Sequence, residues 1–135
     1  LIRCEIPLKW FEIENSQQFK KFDLSNLTYL NLSDSSRVCK SHLEDLNRIC
    51  SSNLNKMSLK GCYRIDDKSI ECLCKLDLSK SLIELNLSET IITEASLDNI
   101  SKSLSKLECV LIRNCKNLKE ISENFKRREN LTIVI

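Results

Sequence analysis

The chain has 135 residues, 41% of them hydrophobic and 30% charged, with a formal net charge of +2. That balance suits a folded globular domain, and no apolar run approaches the roughly 20 residues needed to span a bilayer. The charges are interspersed, so no basic face of the kind that nucleic acid requires is expected. The densest basic run, Lys126-Arg127-Arg128, reads as a solvated helix end. Glycine occurs only at Gly61 and proline only at Pro7, too few for a phosphate loop, a dinucleotide fingerprint or a nucleophile elbow.

In chain order, residues 1–26 come first and fit least well. The chain opens on Leu1 rather than methionine, which suggests a fragment or processed form, so a leader or a further domain ahead of it stays open. Leu8-Phe11-Ile13 imitates a strand, and Phe19 with Phe22 is placed to cover the open end of a core. The segment therefore reads as a degenerate N-terminal capping repeat, followed by one repeat array over 27–135.

From Leu27 the spacing L-x-x-L-x-L recurs as Leu27-Leu30-Leu32, Leu54-Met57-Leu59, Leu82-Leu85-Leu87 and Leu107-Val110-Ile112, with a short last copy at Leu131-Val134. The starts are 27, 28, 25 and 24 residues apart, inside the 20–29 window of a repeat that alternates a strand with a helix. Period-two alternation in each copy predicts a strand with one buried face. Helical spacing follows at Leu43, Leu46, Ile49 and Cys50 after a cap at Ser41. It recurs at Ile70, Leu73, Cys74 and Leu76 behind Asp66 and Asp67, and at Leu97, Ile100 and Leu104 after Thr93. The fourth copy is looser, with Leu118, Ile121 and Phe125. Strand, helix and parallel strand make a right-handed crossover, so the expected fold is an α/β solenoid with strands on a concave side and helices on the convex side.

Eight cysteines invite a disulfide or zinc reading, but their placement argues otherwise. Cys62 and Cys115 stand eight residues after their first leucine, where Ser35 and Thr90 stand in the other copies. An interchangeable Cys/Ser/Thr position is a small residue turning the chain off a strand. Cys72-x-Cys74 lacks the gap and the second pair of a zinc site. Reduced, mostly buried thiols favour an intracellular compartment. The five Asn-x-Ser/Thr sequons read as unused, because two of them, at Asn31 and Asn86, would put a glycan on the sheet face.

His42, the only histidine, reads as a surface residue at a helix start, and Asp66-Asp67 as helix-start acids rather than a catalytic or metal-binding pair. A catalytic thiol would need a Cys-His pairing. The expectation is no enzyme, no cofactor, no metal and no small-molecule substrate.

Residues 54–79 place Leu54, Met57, Leu59, Cys62, Ile65, Asp67, Ile70 and Leu73 on the positions L-x-x-L-x-L-x-x-C-x-x-I-x-D-x-x-L-x-x-L. In this the chain resembles the cysteine-containing leucine-rich repeat. Two groups carry it: the small mitochondrial group of ATP synthase coupling factor B and the distal membrane-arm assembly protein of respiratory complex I, and the F-box substrate receptors of cullin-type ubiquitin ligases. Leu1–Cys4, Gly61–Asp67 and Ser81–Leu87 look similar to the mitochondrial group. The resemblance implies a non-catalytic protein–protein interaction module, an accessory or assembly subunit of a mitochondrial complex. The alternative is the recognition part of an F-box-type receptor, in the cytoplasm or nucleus.

Residues between the leucines point out of the sheet. Stacked in register they give three columns: Tyr29, Lys56, Glu84, Cys109, Ile133; then Asn31, Ser58, Asn86, Leu111, Ile135; then Ser33, Lys60, Ser88, Arg113. The expected partner surface is polar over its first repeats and apolar at Cys109, Leu111, Ile133 and Ile135 beside Arg113.

Overall fold

The computed structural model describes residues 3–5, 27–50 and 53–135. Strands alternate with helices through them: β1 (Arg3–Glu5), β2 (Tyr29–Asn31), α1 (Lys40–Ile49), β3 (Lys56–Ser58), α2 (Asp67–Lys75), β4 (Glu84–Asn86), α3 (Glu94–Ser103), β5 (Cys109–Leu111), α4 (Glu123–Lys126) and β6 (Thr132–Val134). The strands form one sheet in sequence order, every neighbour parallel. The helices pack on one another in the same order. This is the expected α/β solenoid. Of residues 1–26 only β1 is described, so the capping repeat and its strand at Leu8–Ile13 lie outside the described residues.

The leucine spacing builds the core. Leu27, Leu54, Leu82 and Leu107 form one buried column, and Leu32, Leu59, Leu87 and Ile112 another; all are at most 2% exposed. Between them Leu30, Met57, Leu85 and Val110 pair across the sheet. Leu43, Leu46, Ile70, Leu73, Leu97, Ile100 and Phe125 join them from the helices in a single cluster. Each such side chain contributes roughly 1.5–3 kcal/mol by leaving water.

Helix starts keep the same period. Val38, Ile65 and Ile92 are fully buried, and the residue after each is the N-cap: Cys39, Asp66 and Thr93. Asp66 accepts the Ser69 N–H at 2.9 Å and Thr93 the Ala95 N–H at 3.3 Å. The cap expected at Ser41 is therefore two residues late. The buried Val38 fixes where the chain turns outward, and the better capping residue falls inside α1.

The fourth repeat differs in two ways. Its helix is only four residues, capped by Ser122, whose Oγ accepts from the Phe125 N–H. Upstream, Glu94 Oε1 accepts the N–H groups of Lys119 and Glu120 at 2.9 and 3.0 Å and holds that stretch in a non-helical path. The register of β6 also departs from the Leu131-Val134 alignment. Thr132 pairs with Cys109, Ile133 with Val110 and Val134 with Leu111. The last copy thus runs Asn130, Ile133, Ile135. A one-residue slip exchanges the two faces of a strand, and within β6 Ile133 packs against the core, as Leu131 does just before the strand.

Candidate functional site

The sheet face opposite the helices is held by a turn repeated after β2, β3, β4 and β5. Asn31 Oδ1 accepts from the N–H and Oγ of Ser33, and Asn86 Oδ1 accepts from the Ser88 N–H. Asn31 and Asn86 therefore spend their side-chain oxygens on the fold. Next comes a residue in the left-handed region: Asp34, Gly61, Glu89 and Asn114, with φ between 56 and 72°. Only Gly61 has no steric objection to that backbone. A Cβ there would also meet the Asp34 carboxylate.

The following position holds Ser35, Cys62, Thr90 and Cys115, all buried as the spacing predicted. Cys62 Sγ donates to the Leu32 carbonyl of the preceding repeat at 3.0 Å, and Cys115 Sγ to the Leu87 carbonyl at 3.1 Å. Burial pushes the Cys62 thiol up to about 11, so it stays protonated and serves as a donor. Among the described residues no group of three His, Cys, Asp or Glu side chains could hold a metal, and Cys39, Cys50, Cys62, Cys72, Cys74, Cys109 and Cys115 are free thiols.

On this frame the outward columns run Tyr29, Lys56, Glu84, Cys109, Thr132 and Asn31, Ser58, Asn86, Leu111, Val134. Tyr29, Glu84, Asn86, Cys109 and Leu111 are half-buried, and Lys56 and Arg113 exposed. Two expected members are not available to a partner. Ser58 is 6% exposed, its hydroxyl 2.7 Å from that of Ser33, and Ser88 is 3% exposed, its Oγ accepting the Arg113 N–H. Ile133 leaves the face because of the β6 register, and Ile135 leaves the second column with it. Thr132 and Val134 take their places, which spacing alone missed. The apolar patch is therefore smaller than expected: Cys109, Leu111 and Val134.

Charge is distributed unevenly along this face. Lys56 Nζ lies 3.4 Å from Glu84, and Lys60 Nζ 3.7 Å from Glu89, so the central repeats neutralise themselves. Exposed pairs of this kind contribute about 0.2–1 kcal/mol at most.

The other candidates belong to helix starts. His42 is half-buried rather than on the surface, its Nδ1 3.2 Å from the Cys39 N–H, which it accepts, and 3.3 Å from Cys39 Sγ. Burial, opposed by Asp45 and assisted by Arg64, lowers its pKa and keeps the imidazole neutral. Asp66 caps α2. Asp67 reaches across to the next repeat, accepting from the Thr93 N–H at 2.9 Å, Thr93 Oγ1 at 2.7 Å and Ser96 Oγ. Burial raises the Asp67 carboxyl, but the bonds from Ser96 and Thr93 together outweigh it and hold the pKa below its ordinary value.

A parallel ladder with one helix per repeat and buried leucine columns defines the class: a solenoid of the leucine-rich-repeat type. No protein-family model matches the sequence, and no curated protein matches it either. Ten chains of solved structures match it. One is a chain in the crystal structure of the Rad7 and Elc1 complex in yeast, 15% identical with a TM-score of 0.48, the match covering 78% of this chain and 32% of that one. What defines the fold is the ladder and the leucine columns rather than that likeness. No helix among the described residues is long and apolar enough to cross a membrane.

Proposed function

We propose that this chain is a non-catalytic protein-recognition module that takes its partner on the sheet face. The observation that carries the reading is a half-buried group, Cys109, Leu111 and Val134, on a face whose remaining outward residues are polar or charged. Such groups, rimmed by polar side chains, mark partner contacts. The Cys39–His42 contact has a sufficient explanation as the cap of α1, and no reaction is assigned to it.

Of the two groups its repeats resemble, we place the F-box-type substrate receptor first. Within the stretches Gly61–Asp67 and Ser81–Leu87, which suggested the mitochondrial group, the residues that match are mostly ones the repeat itself demands, although Tyr63, Arg64 and Ile83 are exposed. Gly61 supplies the left-handed turn, Cys62 and Ile65 are buried, Asp66 caps α2, Asp67 ties two repeats together, and Leu82, Leu85 and Leu87 are core. They carry the fold and say nothing about which complex holds it.

The test is affinity capture of the wild type, a sheet-face variant (Leu111→Asp) and a helix-side variant (Glu71→Lys), each verified as folded, with identification of the captured proteins. Capture of a discrete partner set that Leu111→Asp abolishes and Glu71→Lys retains is expected. Loss with Glu71→Lys instead would move the site to the helix side. Respiratory or ATP synthase subunits in the set would restore the mitochondrial reading.

A further inference from the structure

Resting on that reading, we infer that the fourth-repeat end of the sheet face binds a peptide segment of another protein in which an aliphatic side chain lies close to a carboxylate. Arg113 is exposed, and it makes no ion pair among the described residues. The two lysines of the outward columns, two strands away on and just after β3, are engaged, Lys56 by Glu84 and Lys60 by Glu89. Its backbone is fixed at both ends of the residue, the N–H donating to Ser88 Oγ at 3.1 Å and the carbonyl accepting from the Glu89 N–H at 2.8 Å. A planar guanidinium on an anchored backbone suits bidentate capture of a carboxylate.

The apolar half of the contact lies alongside. Leu111 is two residues before Arg113 on the same face, roughly 7 Å away in extended chain, and Val134 is its partner in the adjoining strand, about 4.8 Å off. Cys109 extends the group by two residues on β5. A partner therefore meets a short aliphatic strip ending in a positive charge that no described residue pairs with. Charge complementarity selects an acidic-apolar segment. A basic segment would meet Arg113 with like charge, and an uncharged one would leave the guanidinium covered and unpaired. On the same edge of the sheet, at the other end of the face, Asp34 is exposed, three strands from Arg113, and it serves as an internal control.

The probe is a fluorescein-labelled peptide repeating Leu-Ser-Glu-Ser, with its Leu-Ser-Lys-Ser counterpart, measured by fluorescence anisotropy at low salt. The wild type should bind the Glu peptide at least tenfold more tightly than the Lys peptide. Arg113→Glu should reverse that preference, Leu111→Ser should weaken the Glu peptide several-fold, and Asp34→Lys should leave the preference for Glu in place. Both substituted side chains at the site point to solvent or are half-exposed, and circular dichroism verifies each fold. Equal binding of the two peptides, no binding of either, or an unchanged preference in Arg113→Glu would overturn the inference. Failure here with sheet-face-dependent capture intact would leave the recognition reading standing with a different partner chemistry. Loss of both would remove both.

Discussion

The second and third repeats and the fourth are built on the same leucine spacing, yet they solve the same problem differently. In the former, nine- and ten-residue helices bury apolar faces, the Asp67 carboxylate ties one helix start to the next, and the outward charges pair among themselves. In the fourth the helix shrinks to four residues, the following strand takes a register one residue from that suggested by its leucine, and the outward face turns apolar beside an arginine with no ion pair among the described residues. The regular region is saturated by its own contacts. The irregular one leaves bonding capacity for another molecule, which is why the proposed site lies there.

The sharpest way to break this contrast is to remove core from each region. Leu85→Ala, at a fully buried site, should cost about 2–5 kcal/mol; Leu131→Ala, at a half-buried one, should cost clearly less. Urea denaturation of both variants checks it, and equal costs would show that the fourth repeat is as tightly built as the others.

A smaller effect sharpens the register of β6. Ile133→Asp should destabilise by about 2 kcal/mol, because a carboxylate would face the core, whereas Thr132→Asp should fall within about 0.5 kcal/mol of wild type. The reverse ranking in denaturation midpoints would reinstate the register read from Leu131 and Val134.

The smallest concerns the tie between repeats. Asp67 is ionised in the fold at a pKa below its unfolded value, so its contribution is complete above the unfolded pKa, near 4, and fades as pH falls through the folded one. Asp67→Asn should cost about 1 kcal/mol at neutral pH. Its stability should also fall less steeply than that of wild type below about pH 4. Parallel acid-denaturation curves for the two proteins would show that the carboxylate charge plays no part.

The helices behind Asp66 and Thr93 were legible because a capping residue there precedes apolar residues at helical spacing. The cap of α1 was not, because Ser41 is the better capping residue by type and Cys39 caps by position. The interchangeable small residue after each strand was legible at Ser35, Cys62, Thr90 and Cys115, and burial agrees. The left-handed residue before it was hinted at by Asp34, Gly61 and Asn114, types that tolerate positive φ, and masked by Glu89. The availability of Ser58 on the sheet face was illegible, since its burial depends on Ser33 from the adjoining strand.

By itself the sequence determined the repeat, the strand–helix alternation and which leucines share an interior, because hydrophobic burial acts through local periods of two and of about 3.6. Only the tertiary structure decided the pairing of β6, which small residues are covered, and which charges find partners. Those outcomes depend on neighbours some 25 residues away along the chain, brought within 4 Å only by stacking one repeat on the next.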